Sequence, residues 1–302
     1  MSHTALVSST EMSAVFSQRL RDYIELTKPR LSALVLFTTA VGFWLGMRSA
    51  QSWMLFLPAL IGTSLVVGGA NALNEWRERD VDALMQRTKQ RPLPSGRLTP
   101  DAAFRCGAAL SVGGLLLLGC AVNTLSALLA AVSWTSYVLV YTPMKRWTPL
   151  CTLVGAIPGA LPPVIGWAAA RNTLGVEAWA LFAILFVWQL PHFLALAVMY
   201  REDYARAGFR ILPLIESGRA ATARQIILYG VTLLPASLFP ALIGLTGMWS
   251  AYGALLISIA FFVVAAHAAW ARSSHSAAQL FRASVLYLPM LLILLALDRA
   301  RH

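Results

Sequence analysis

The chain is 302 residues long, 58% hydrophobic and only 12% charged. A water-soluble protein of this length keeps about a quarter of its residues charged, so most of this surface faces something other than water. The net charge of +11 could suggest nucleic acid, but its placement between apolar runs gives it another origin.

Those runs lie near 31–47, 53–71, 104–121, 125–141, 150–169, 178–200, 226–245, 252–270 and 281–297. Each approaches the roughly 20 residues that a helix needs to cross about 30 Å of hydrocarbon. The expected fold is therefore all-α, a polytopic bundle of nine transmembrane helices. Of the 24 lysines and arginines, only Arg48, Arg171, Arg299 and Arg301 fall on one side of the alternating connections. This is the positive-inside pattern: it places the N-terminus in the cytoplasm and, with nine spans, the C-terminus in the periplasm. The charge excess then reflects topology, and no nucleic-acid partner is required. The first eighteen residues show neither a transit peptide nor a cleaved signal, which fits a multi-pass protein of a bacterial inner membrane. Cys106, Cys120 and Cys151 lie at or within apolar segments without CxxC spacing, and read as packing residues rather than metal ligands.

Residues 1–302 read as one membrane domain, with a cytoplasmic N-terminal segment at 1–25. Two connections are long, 72–103 and 201–225, both on the basic side and four spans apart, as a four-span repeat with an added ninth span would give. Pro158, Pro162 and Pro163 predict that the fifth span is kinked or interrupted.

Residues 71–93, NALNEWRERDVDALMQRTKQRPL, put four carboxylates and five basic residues directly behind the second apolar run. Asn74, Glu78 and Asp82 recur every fourth residue and share one helical face. Crowded carboxylates repel unless a cation lies between them, and oxygen ligands without His or Cys suit Mg2+. The competing reading is a juxtamembrane helix laced with surface ion pairs; Asp80 faces elsewhere and reads as a solvated charge. Arg87, Lys89 and Arg91 follow, so that acids and bases in series suit a diphosphate with bound Mg2+. A basic loop drawn to anionic headgroups is the bland alternative.

Three later stretches add candidates. The basic turn at Lys145 and Arg146 reads either as a diphosphate contact or as an interface anchor, and Lys28 and Arg30 carry the same ambiguity. Within the sixth span, Gln189 and His192 are polar at membrane depth, where polarity is costly and often functional. On a straight helix His192 and Asp203 would share a face, three turns apart. Asp203 and Arg206 open the second long connection and partly echo the first, with Glu202 and Arg210 beside them. Two such clusters closing on one ligand are stronger evidence than either alone. Of the other histidines, His3 and His302 are terminal, His275 lies in a connection and His267 reads as a packing residue.

These stretches resemble the UbiA superfamily of membrane prenyltransferases, and within it the protoheme IX farnesyltransferase branch. Asn74, Glu78 and Asp82 match the first acidic motif. The continuation through Met85, Arg87-Thr88 and Arg91 to Gly96 matches the branch, as do residues 26–30, 155–167 and 188–197. Asp203-Tyr204 matches the second motif, but Ala207 stands where the superfamily has a further acid, and Cys151 where many relatives have asparagine. The resemblance implies a UbiA-type bundle around a central cavity, with Mg2+ held by Asn74, Glu78, Asp82 and Asp203. Arg87, Lys89, Arg91, Lys145, Arg146 and Arg206 would bind diphosphate, while His192, Gln189, Lys28 and Arg30 would meet the acceptor. The substrates implied are farnesyl diphosphate and haem B, with haem A synthase as a downstream partner. A quinone precursor as acceptor, or a transporter with a midplane site, are the alternatives.

Overall fold

The computed structural model describes residues 9–215 and 218–300; His3, Arg301 and His302 lie outside them. The described residues fold as helices α1 (Ser9–Leu26), α2 (Pro29–Gly46), α3 (Trp53–Asp82), α4 (Pro100–Ala121), α5 (Thr124–Thr135), α6 (Thr142–Met144), α7 (Cys151–Ala160), α8 (Pro162–Arg171), α9 (Val176–Met199), α10 (Arg201–Arg206), α11 (Gly218–Leu242), α12 (Met248–Ala271) and α13 (Ser274–Leu297). Among the described residues there is no β-strand, and nine helical segments are long and apolar enough to cross a membrane. They coincide with the nine runs read from the sequence. The second begins with a 3-10 turn before α3, the fourth joins α5 to α6 through a π-helical stretch, Ser136–Tyr141, and the fifth is α7 followed by α8.

The break between α7 and α8 falls at Leu161, where the prolines predicted it. Pro162 has no N–H to give to the carbonyl of Pro158, and the Ser133 hydroxyl donates to that carbonyl instead, at 3.2 Å. α2 crosses α8 backbone to backbone, because the two glycines of the crossing leave room for it. A Cβ on Gly42 would strike the Pro163 carbonyl, and one on Gly166 the Thr39 carbonyl. Such small-residue contacts substitute for hydrophobic drive where the solvent is itself apolar.

The two ends of the bundle differ. At one, Arg171 Nε donates to the Gly46 carbonyl at 2.6 Å, Arg299 donates to Met47, and the Arg299 guanidinium lies over Trp44. Cations there cap the C-terminus of α2. The other end carries both long connections. Packing between them joins Val81, Met85 and Cys151 to Ala197, Ala207, Phe209 and Ile211, so the first and second connections share one small apolar core.

Candidate active site

α3 is 30 residues long. At about 1.5 Å per residue it exceeds the hydrocarbon thickness, and its last two turns project at the basic end of the bundle. Their acids are nevertheless buried: Asn74, Glu75, Glu78 and Asp82 are all under one-tenth exposed. Only Asp80, on the opposite face, is solvated, with Arg79 at 3.6 Å. The stripe is therefore an internal charged face, not the surface ion-pair helix weighed against it.

Buried charge must be paired, and each partner comes from a different part of the fold. Lys145 Nζ donates to both Glu78 oxygens, at 2.8 and 3.0 Å, and lies over the Tyr141 ring at 4.7 Å. Burial works against the Lys145 charge, but Glu78 more than offsets it and holds the pKa above the ordinary lysine value. Asn74 Nδ2 donates to Glu78 at 3.0 Å and to the Thr142 hydroxyl at 3.1 Å. The π-helical stretch before Thr142 gives the chain a wider turn, a device common at functional sites; Thr142 and Lys145 follow it directly. Lys28 sits in a left-handed turn between α1 and α2 (φ 51°). Its ammonium donates to Asn74 Oδ1 at 3.0 Å and lies 3.6 Å from Glu75. Burial, with Arg91 adding to it, pushes the Lys28 pKa down to about 8. Arg91 bonds Asp82 at 2.7 Å and approaches Glu75 at 3.5 Å.

The second connection docks onto the first. Asp203 accepts from the backbone N–H of Gln86 at 3.1 Å and of Arg87 at 3.4 Å, and pairs with Arg206. Burial alone would raise the Asp203 pKa, but the two amides and Arg206 outweigh it and hold the carboxyl below its usual range. The Arg87 guanidinium lies over the rings of Tyr200 and Tyr204, at 5.3 and 5.1 Å, and donates to the Tyr204 hydroxyl at 3.3 Å.

The two polar groups of the sixth span diverge. Gln189 Nε2 donates to the carbonyls of Ala156 and Leu185, at 2.8 and 3.0 Å, which ties it to the broken fifth span. His192 turns to α13, with Nδ1 2.7 Å from the Ser284 hydroxyl and its ring against Trp188 and Phe281. The Ser284 hydroxyl donates its one proton to the Phe281 carbonyl at 2.6 Å. It must therefore accept from Nδ1–H, which leaves Nε2 with a free lone pair. The helix does not run straight from His192 to Asp203. It breaks at Tyr200, whose backbone leaves the helical region, so the phase relation expected of a straight helix does not hold.

Asn74, Glu78, Asp82, Arg91, Lys145 and Lys28 thus come together in one network. Arg87, Asp203 and Arg206 form a second group docked on it. Arg30, Lys89 and Arg146 are exposed and outside both. Lys28 joins the acids and not a separate acceptor contact, because the turn at φ 51° brings it over Asn74. Sequence reasoning passed over Glu75, although an acid next to Asn74 at the end of an apolar run was a usable signal. It also passed over α1, where Asp22 and Glu25 hold Arg97 against the first connection.

Among the described residues, no three Asp, Glu, His or Cys side chains are gathered closely enough to hold a metal by themselves. Mg2+ needs only one or two protein carboxylates and takes its remaining ligands from water and substrate phosphates. The donors are all oxygens, and one Glu75 oxygen, Oε2, is buried without a hydrogen-bond partner.

A bundle of membrane-spanning helices with buried acids and bases facing one another at one end is a membrane protein with a polar site at the edge of the bilayer. The chain belongs to the UbiA prenyltransferase family, whose model matches residues 35–292, and it is a multi-pass membrane prenyltransferase. It is 48% identical over 289 residues to the protoheme IX farnesyltransferase of Solibacter usitatus, covering 93% of this chain and 99% of that one. It is 44% identical to the protoheme IX farnesyltransferase of Myxococcus xanthus, with 92% and 94% covered. A UbiA homologue of Archaeoglobus fulgidus bound to DMAPP and Mg2+ shares the fold, with a TM-score of 0.62 over 91% of this chain and 99% of that one at 18% identity.

Proposed function

We propose that the chain transfers the farnesyl group of farnesyl diphosphate to the 2-vinyl group of haem B, with addition of water, giving haem O and diphosphate. The relatives at 44–48% identity support the substrates and do not favour a quinone acceptor. The charges cluster at one rim of the bundle, which speaks against a midplane transporter site. The single observation that carries the reading is the docking of the two acidic connections. Through Asp203, Gln86 and Arg87, the second connection is hydrogen-bonded to the first, which supports one shared charged site.

Each acid holds a base, namely Glu78 with Lys145, Asp82 with Arg91 and Asp203 with Arg206. A diphosphate would draw Lys145, Arg91 and Arg206 to its oxygens, with Arg87 beside them, and free the carboxylates. Asn74, Glu78, Asp82 and Asp203, with Glu75 beside them, would hold Mg2+ jointly with the diphosphate, each ion taking one or two of these side chains and its other ligands from water and phosphate. When bound, that ion supplies neutralising charge to the departing diphosphate. The C1–O bond of the farnesyl group breaks and its electron pair leaves with the diphosphate. The terminal vinyl carbon bonds to C1, and water adds to the carbon beside the porphyrin and loses a proton. Once drawn to the bound diphosphate, these cations are in place before the bond breaks and need not reorient as charge grows. His192, through its Nε2 lone pair, and Gln189 are assigned to the acceptor side, and one membrane domain carries the whole site. The charge asymmetry supports a bacterial inner membrane with the N-terminus cytoplasmic and the C-terminus periplasmic; haem A synthase is the proposed consumer of the product.

The test is a product assay on detergent-purified protein with haem B, farnesyl diphosphate and Mg2+, read by mass. A farnesyl-plus-water adduct is expected. Turnover of the diphosphate only with an aromatic, non-haem acceptor would keep the prenyltransferase and overturn the acceptor.

A further inference from the structure

A cavity lies at the same basic end, on the far side of α10 from Glu78 and Asp82, and shares only Asp203 and Arg206 with the charged groups described above. Its volume is about 530 Å3, and it is framed by the end of α9, α10, the first turns of α11 and α13, and the end of α12. Four arginines line it, Arg201, Arg206, Arg219 and Arg272, against the acids Glu202 and Asp203. Arg206 is engaged by Asp203. Arg201, Arg219 and Arg272 have no carboxylate partner among the described residues, and the first turns of α11 and α13 add the positive ends of two helix dipoles. The cavity is therefore poised for an anion.

It does not end at the arginines. At Ala223, Ala269 and Arg272 it meets an apolar groove of about 560 Å3 between α11 and α12, floored by Ile227 and Ala266 and flanked by Leu228 and Val231. Leu228 and Val231 are exposed, and Trp270 at the rim is 83% exposed, as an aromatic residue at headgroup depth would be. A polar, cationic chamber opening onto a membrane-facing apolar groove matches a ligand with an anionic head and an alkyl tail. Neither His192 nor Gln189 lines either space, and an open groove between two helices suits a chain better than a porphyrin plate.

We propose that this paired cavity and groove bind one anionic phospholipid, its phosphate held by Arg219, Arg272 and Arg201 and one acyl chain lying between α11 and α12. Basic pockets between membrane helices take anionic headgroups in this manner. Because α10 forms part of the wall, an occupied site would also brace the segment that carries Asp203 against the first connection.

The experiment is native mass spectrometry of the full chain in detergent, titrated separately with dioleoylphosphatidylglycerol and dioleoylphosphatidylcholine. One copy of the anionic lipid is expected to bind at least tenfold more tightly than the zwitterionic one. The double variant Arg219→Gln/Arg272→Gln is expected to lose roughly twenty-fivefold in affinity, about fivefold per arginine, with farnesyl transfer in detergent retained. Arg272→Lys, which keeps the charge, is expected to keep most of the binding and serves if the double variant does not fold. Equal binding of the two lipids would overturn the proposal. Displacement by millimolar inorganic diphosphate would show a site for free phosphate, and displacement by haem a site for the acceptor; either would overturn it as well.

Discussion

The two long connections occupy equivalent places after the second and sixth spans, yet they are built differently. The first carries four buried polar groups, Asn74, Glu75, Glu78 and Asp82, whose cations come from α2's entry turn, from its own loop and from the turn after α6. The second carries one buried acid, Asp203, and its principal partners are backbone amides of the first. Where a second acid would complete the echo stands Ala207, buried beside Met85 and Phe209. The two connections thus divide the labour. The first supplies most of the charge, and the second supplies one carboxylate and an apolar latch that holds the two together.

That comparison can be broken in several ways. Removing divalent metal with EDTA should abolish the farnesyl-plus-water product altogether, and Mg2+ should restore it. Glu78→Gln keeps the shape and removes the charge facing Lys145; kcat should fall roughly 10²–10³-fold, the scale of losing one electrostatic contact to a developing charge. Activity that survives both treatments would return the stripe to an ordinary ion-pair helix.

Smaller effects sharpen the division of labour. Asp203→Asn can still accept from the two amides but loses its charge. A fall of roughly 10–100-fold in kcat/KM is expected, the range of a supporting contact, with a weaker Mg2+ response. Ala207→Asp restores the missing acid but buries it against Met85 and Phe209. It should raise no activity and should lower stability by about 3 kcal/mol, as unpaired buried charge does, seen as a lower Tm in detergent. Higher activity would mean that the second connection had kept the capacity of the first. Ser284→Ala frees His192 to take either tautomer. A few-fold loss is expected, larger in KM for the acceptor than for farnesyl diphosphate, and Ser284→Thr should recover it.

Much of this molecule was legible from its residues. A helix must satisfy its backbone in lipid, so apolar length alone gave all nine spans, and the missing N–H groups of Pro158, Pro162 and Pro163 gave the break in the fifth. Spacing of four placed Asn74, Glu78 and Asp82 on one face, because residues on one helix have a fixed angular relation. The same rule failed from His192 to Asp203, since a single non-helical residue, Tyr200, resets the phase.

What spacing does not reach is the partner across helices. Lys28 read as an interface anchor or acceptor contact and Lys145 as an interface anchor or diphosphate contact, and only docking shows them on Asn74, Glu75 and Glu78, 46 to 67 residues away in the chain. Asp80 read as a solvated charge and is one, whereas Glu75, which a spacing of four leaves off the stripe, is buried with it. The sequence by itself determined the number of spans and which acids share a helix face, because both follow from local backbone geometry and transfer from water. Which base answers which acid was decided by the tertiary structure, through the crossing of α2 and α8, the wide turn before Thr142 and the latch around Met85 and Phe209.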